Sequence, residues 1–234
     1  MFQIGWGDPS SNGNNSIVGC TFKGTDTAND FSTYQGGSSG YSELLEISTG
    51  GGQHTNNVLI QNNTFLDAQG DSIITYSPCG PNNTGSPCNN GAPGTEGPSN
   101  IFVVNNNISH CIQPGVHLNG GQNIVVTGNT ITDCWADDEV DSNVLQVISS
   151  WWHDNIFTTQ YGGGLFTTGA AVHTCTGNDL IAEDDHLCYS YNNLITGVGP
   201  LGPATMFEPT GCTGGGGHYI NETLTNGAQM STGC

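Results

Sequence analysis

Acidic side chains are the main chemical resource of this chain, and two groups of them fall close together. Asp137, Asp138, Glu139 and Asp141 lie within the segment WADDEVDSN, and Glu183, Asp184 and Asp185 directly precede His186. Paired carboxylates suit glycosidic hydrolysis: one protonates the leaving oxygen while the other activates water or attacks the sugar carbon. Asp138 and Asp185 are the candidate pair. The first group also has the oxygen density of a calcium site, with Asp137, Asp138, Glu139 and Asp141 as ligands. Both groups read as well as plain solvated turns. A third set, Glu46, His117 and Gln146, falls between alternating apolar neighbours, so the three would share one exposed stripe. Trp151 or Trp152 beside it would be a stacking platform for a sugar ring, because the two are adjacent and must point to opposite faces of a strand, which exposes one of them.

The remaining marked residues speak of compartment. Nine cysteines in a chain rich in Gly, Asn and Thr favour an oxidising, extracellular setting. Cys79 and Cys88 bracket a Pro/Gly/Asn loop and make a local bridge. Cys111 and Cys134, 23 residues apart, are either bridged or stacked as thiols. Cys175–Cys188 and Cys212–Cys234 complete the expected set, with Cys20 left over. N-x-S/T triplets at Asn14, Asn62, Asn82, Asn107 and Asn221 are the expected sites of N-linked glycans. No C-x-x-C spacing suggests a zinc site, and calcium is the only cofactor the sequence admits.

Charge narrows the partners. Lys23 is the one Lys or Arg residue against twenty Asp and Glu, a formal charge of −19. Nucleic-acid binding, which needs cations to displace counterions, is excluded. A polyanionic sugar would be repelled unless a divalent cation intervened. No apolar run approaches the roughly eighteen residues of a membrane span.

The elements that must position these groups are written as a repeat. A shift of 23 carries Asn100, Ile101, Val103, Asn106, Ile108 and Cys111 onto Asn123, Ile124, Val126, Asn129, Ile131 and Cys134. Apolar residues two apart make a short strand with one buried face. The Asn that follows suits a bend, since Asn tolerates left-handed backbone angles. A second strand then opens, and a third follows Gly115. Forty-three residues earlier stand Asn57, Val58, Ile60, Asn63 and Phe65, and 43 before those Asn14, Ile17, Cys20 and Phe22. In the other direction Ile131 leads to Ile156 and then Leu180, with Cys175 and Asn178 in register. Each unit is one coil of a parallel β-solenoid, which buries its inner face only by stacking on the next.

The segments NVLIQNNTF (57–65), NIFVVNNNI (100–108) and NIVVTGNTI (123–131) resemble the pectate-lyase-like right-handed parallel β-helix superfamily. The resemblance implies an all-β, right-handed parallel β-helix of about six coils with loop excursions, occupying residues 1–195. Residues 196–234 are then an irregular C-terminal wrap. It implies no single activity, since lyases, hydrolases, epimerases, tailspikes and surface proteins share the fold. The lyase members pair calcium-binding acids with an Arg or Lys base, and here Lys23, placed in the first coil's loop, stands alone. The pectin-hydrolase members carry N-T-D, D-D, G-H-G and R-x-K, of which only Asp184–Asp185 has a counterpart.

Two functions follow as expectations. The first is a secreted extracellular glycoprotein, structural in role and self-associating head to tail into a filament or surface assembly. The second is a polysaccharide-active or carbohydrate-binding β-helix.

Overall fold

The structure, a computed structural model, describes residues 2–4, 13–24, 43–48, 55–76, 98–111, 115–119, 121–134, 138–141, 147–158, 175–176, 187–199, 202–203, 205–208 and 216–232. Their strands fall into three parallel sheets that the chain visits in rotation. Sheet 1 holds Phe2–Ile4, Leu45–Ser48, Ile73–Tyr76, Val116–Asn119, Asp138–Asp141 and Cys175–Thr176. Sheet 2 holds Asn15–Val18, Asn56–Gln61, Ser99–Val104, Gly121–Thr127, Val147–His153, Leu187–Tyr191 and Gly216–Ile220. Sheet 3 holds Thr21–Lys23, Thr64–Ala68, Asn107–Cys111, Thr130–Cys134, Ile156–Thr158, Leu194–Thr196 and Thr223–Thr225. This is the all-β parallel β-helix expected from the sequence.

Alternation along each strand sends every second side chain inward, and parallel pairing stacks like on like. In sheet 2 one column runs Val58, Ile101, Ile124, and a second runs Ile17, Ile60, Val103, Val126, Trp152. Sheet 3 contributes Phe22, Phe65, Ile108, Ile131, Phe157, Ile195 and Leu224. Leu45, Ile73 and Val116 form the inner column of sheet 1. Apart from Ile17, Phe22 and Leu224 at the two ends, these side chains are buried to within a few per cent. Each contributes roughly 1.5–3 kcal/mol by leaving water.

The corner between sheets 2 and 3 is held by polar groups. Gly19, Asn62, Asn105, Gly128, Asp154, Asn192 and Asn221 all take left-handed angles, with φ between 53° and 67°. The residue after each bend is Cys20, Asn63, Asn106, Asn129, Asn155, Asn193 or Glu222. From Asn63 to Asn193 these asparagines are buried and form a ladder. Each Nδ2 donates to the next Oδ1, at 3.0 Å from Asn63, Asn106 and Asn129 and 2.9 Å from Asn155. The same Oδ1 atoms accept from the preceding rung's backbone N–H. The ladder's first acceptor, Asn63 Oδ1, takes the Cys20 N–H at 2.8 Å. Its last donors, the backbone N and Nδ2 of Asn193, reach the two carboxylate oxygens of Glu222 at 2.7 and 3.1 Å. The sequence pointed to Asn106 and Asn129 as the bend residues; the left-handed angle instead falls one residue earlier, freeing the Asn side chain to turn inward.

Several other expectations change. Ile156 pairs with Thr130 and is 40% exposed, while Phe157 pairs with Ile131 and fills the core. The coil from Asn129 to Asn155 is 26 residues instead of the 25 that separate Ile131 from Ile156, and a miscount of one in a strand reverses inside and outside. The next sheet 3 core position is Ile195, not Leu180; the ladder step there is 38 residues, and Leu180 and Asn178 lie outside the described residues. Cys175 belongs to sheet 1, opposite Val140. The helix also continues past residue 195: Leu187–Tyr191 pairs with Gly216–Ile220, and Leu194–Thr196 with Thr223–Thr225. Thr205–Glu208 pairs with Gln229–Thr232 in the same parallel sense. Sheets 2 and 3 thus have seven described rungs where six coils were expected. The last was hidden because Glu222 replaces the ladder Asn. Asp138–Asp141 is a strand of sheet 1 and not a turn, and Lys23 ends a strand of sheet 3 instead of lying in a loop.

Cys111 and Cys134 are direct partners on adjacent rungs, with Cα atoms 4.3 Å apart, and a disulfide joins them. Ala68 precedes them in the column, so a small residue occupies each of these three rungs at this corner. Cys20 is unpaired and exposed.

Candidate functional site

The outer face of sheet 1 gathers acids that the sequence scatters. Glu46 alternates with inward Leu45 and Ile47 and so faces out. Its column runs Gln3, Glu46, Ile74 and His117, and Glu139 holds the next register position in the backbone. Gln3 Nε2 donates to Glu46 Oε1 at 3.0 Å and to Ser48 Oγ at 3.2 Å. Ile74, only 8% exposed, stands between Glu46 and His117 as an apolar floor.

Two carboxylates enter from the turns that feed these strands. Glu43 lies just ahead of Leu45–Ser48, and Asp71 just ahead of Ile73–Tyr76. The two turns are tied together by the Leu44 N–H, which donates to the Asp71 carbonyl at 3.0 Å. Asp71 is 6% exposed. Its Oδ2 lies 3.3 Å from His117 Nδ1, within hydrogen-bond reach. Its Oδ1 is buried with no hydrogen-bond partner among the described residues. A buried acceptor left unmade costs about 1–3 kcal/mol, so this oxygen is chemically hungry. Burial pushes the Glu43 carboxyl above the ordinary range, and the charges of Asp71 and Glu46 add to the rise; a backbone hydrogen bond pulls the other way. One carboxyl is thus biased toward holding its proton beside another that is oriented by an imidazole. This division is the one acid–base catalysis uses.

The structure brings together two members of the expected stripe, Glu46 and His117, on either side of Ile74. Gln146 lies outside the described residues. The column continues instead at Glu139, because Val147 already belongs to the next strand of sheet 2. Asp138 and Asp141 sit in sheet 1 at the register positions of Val116 and beside Val140, and their side chains are outside what is described, as are Asp137 and Asp185. Among the described residues no group of three or more His, Cys, Asp or Glu could hold a metal ion. Glu43 and Asp71 were missed by sequence reasoning, since neither belongs to a motif. The one signal was that each stands two residues ahead of a third strand in its coil.

Elsewhere, Lys23 Nζ lies 3.6 Å from Asp67 Oδ2, and Asp67 Oδ1 lies 3.5 Å from His110 Nδ1. Trp152 is buried and Trp151 half-buried on the outer face of sheet 2, as the alternation requires. Asn14, Asn62, Asn107 and Asn221 are exposed; Asn82 lies outside the described residues. So do Cys79, Cys88, Cys212 and Cys234, while Cys188 stands in sheet 2 opposite Ser150. No helix among the described residues is long and apolar enough to cross a membrane.

Three stacked parallel sheets with a buried Asn ladder define a β-helix protein. The family model described as "Right handed beta helix region" matches residues 47–197, and the chain belongs to that family. Among solved structures it is similar to the Dettilon tailspike protein (gp208), at 15% identity and a TM-score of 0.34. That match covers 89% of this chain and 54% of the tailspike chain, so this chain spans about half the length of its neighbour. No curated protein matches the chain significantly.

Proposed function

We propose that this chain is an extracellular, carbohydrate-active β-helix that hydrolyses glycosidic bonds on the outer face of sheet 1. The observation that carries this reading is Asp71, a carboxylate nine-tenths buried, oriented by His117, with one oxygen unpartnered among the described residues, beside Glu43, whose carboxyl burial raises above the ordinary range. Glu43 gives its proton to the glycosidic oxygen as the bond to the anomeric carbon breaks. Asp71 takes a proton from the water whose oxygen forms the new bond, and exchange with solvent restores both groups. Glu46, fixed by Gln3, holds a sugar hydroxyl, and Ile74 is the apolar floor under the ring. The four exposed sequons and the Cys111–Cys134 bridge support a secretory origin, with N-glycans on Asn14, Asn62, Asn107 or Asn221.

The test is release of reducing ends from a panel of neutral and acidic polysaccharides. Asp71→Asn and Glu43→Gln should each cut turnover by on the order of 10²–10⁴-fold, with His117→Ala a smaller loss. Undiminished turnover by Asp71→Asn overturns the assignment. Light scattering of the same sample tests the end-to-end assembly expected from the sequence, and long particles without turnover would favour that structural role.

A further inference from the structure

We infer that the outer face of sheet 2 is a separate docking track for an uncharged glycan chain. Strand alternation turns Leu59, Phe102, Val125 and Trp151 outward, and parallel pairing lines them up in a single column. All four are partly or largely exposed, Phe102 at 41%. At the strand spacing of about 4.8 Å, the column runs about 14 Å. A second outward column lies alongside it, in which Val104, Thr127, His153 and Tyr191 follow one another. There the His153 and Tyr191 rings stack with centroids 4.7 Å apart and planes 3° from parallel. Thr127 Oγ1 and Asp154 Oδ2 lie 3.0 and 2.7 Å from His153 Nδ1 and fix that imidazole.

The other margin carries amides. Asn57, Asn100 and Asn123 share a left-handed bend at the start of these strands. Their side chains form an outward ladder, with Asn123 Nδ2 donating to Asn100 Oδ1 at 3.3 Å and Asn100 Nδ2 to Asn57 Oδ1 at 3.2 Å. On the three rungs of Leu59, Phe102 and Val125 the face therefore presents an apolar or aromatic surface with a carboxamide beside it.

That repeat selects the occupant. An apolar strip bordered by amide donors and acceptors suits a ligand that is apolar on its faces and polar at its rim. A pyranose ring has C–H faces and peripheral hydroxyls, and a glycan chain offers such rings at regular intervals. Net charge decides between glycans. The chain carries −19 overall, and the described residues of both columns include no Lys, Arg, Asp or Glu, so a polyanion is repelled with nothing local to offset it. A second copy of this chain, equally acidic, is disfavoured in the same way.

Retardation in native gels cast with hydroxyethylcellulose, galactomannan, dextran or polygalacturonate tests the track. At least one of the three neutral polymers should retard the protein, and polygalacturonate should not. Phe102→Ser, on the surface, and Trp151→Ala should each weaken retardation by about tenfold or more. Asp71→Asn should leave it unchanged, which separates this track from the sheet 1 chemistry. Retardation by the acidic polymer alone, by none of the four, or undiminished in a folded Phe102→Ser variant overturns the inference. So does concentration-dependent dimerisation that Phe102→Ser abolishes, which would give the face to a second copy. Should Trp151→Ala fail to fold, the wild-type fluorescence decides: the half-exposed Trp151 must shift on adding the retarding polymer, and an unmoved spectrum overturns the track.

Discussion

Replacing Asn129 with alanine tests the ladder at its centre. Asn129 Oδ1 accepts the Asn106 backbone N–H at 2.8 Å and Asn106 Nδ2 at 3.0 Å. Its own Nδ2 donates to Asn155 Oδ1 at 3.0 Å and to the Val103 carbonyl at 2.9 Å. The surroundings are closed to water: Asn106, Val103 and Asn155 are at most 2% exposed. Asn129→Ala therefore strands two buried donors on Asn106, each costing about 1–3 kcal/mol, for a total near 4 kcal/mol. A whole domain is stable by about 5–15 kcal/mol, so the loss is large. In urea, with a slope of about 2–3 kcal/mol/M, the midpoint should fall by about 1.5 M. Tryptophan emission reports it, because Trp152 lies in the core one rung away. Asn123→Gly is the control: it removes an amide bond of similar type from an exposed ladder and keeps the left-handed angle, and it should cost about 0.5 kcal/mol. A loss at Asn129 within about 1 kcal/mol of that control would refute the claim that buried amide bonding holds the coils together.

Other outcomes follow from the same geometry. Removing the Cys111–Cys134 bridge, whose sequence separation is 23, with a double serine variant should lower stability by about 3 kcal/mol through regained chain entropy, and reductant should reproduce the effect in the wild type. Indifference to reductant would mean the bridge does not constrain the unfolded chain. Glu43 has a folded pKa above its ordinary value of 4.5, so the native state binds the extra proton between the two values. Unfolding free energy must then fall as pH rises through that window and recover on acidification, the reverse of a salt-bridged carboxylate. Denaturation midpoints measured across that window for wild type and Glu43→Gln check it, and the variant should lose that part of the slope.

The columns were legible because coils of 23 and 43 residues repeat Ile101, Val103 and Ile108 in identical spacing. Apolar side chains spaced two apart have one physical solution when neighbouring coils repeat them. Legibility failed where coil length changed. Steps of 26, 38 and 29 residues moved the core to Phe157, Ile195 and Leu224, and no local feature announces an excursion's length. The sheet 1 cluster was harder still. Asp71 and His117 are 46 residues apart, and their meeting depends on how far the chain travels between rungs. Glu46 and His117 could be anticipated by alternation alone. Glu43 and Asp71 sit in turns, where alternation gives no direction.

Glu222 has a consequence for how such a molecule grows. Every asparagine in the buried ladder both receives and passes on a proton-bearing bond, so the relay has a direction, from Asn63 toward Asn193. A carboxylate receives twice and passes on nothing. Glu222 is a full stop in a one-way signal. An extra coil spliced between Asn106 and Asn155 with its own asparagine would extend the relay, whereas one placed after Glu222 would start beside a carboxylate with no side-chain proton to pass on.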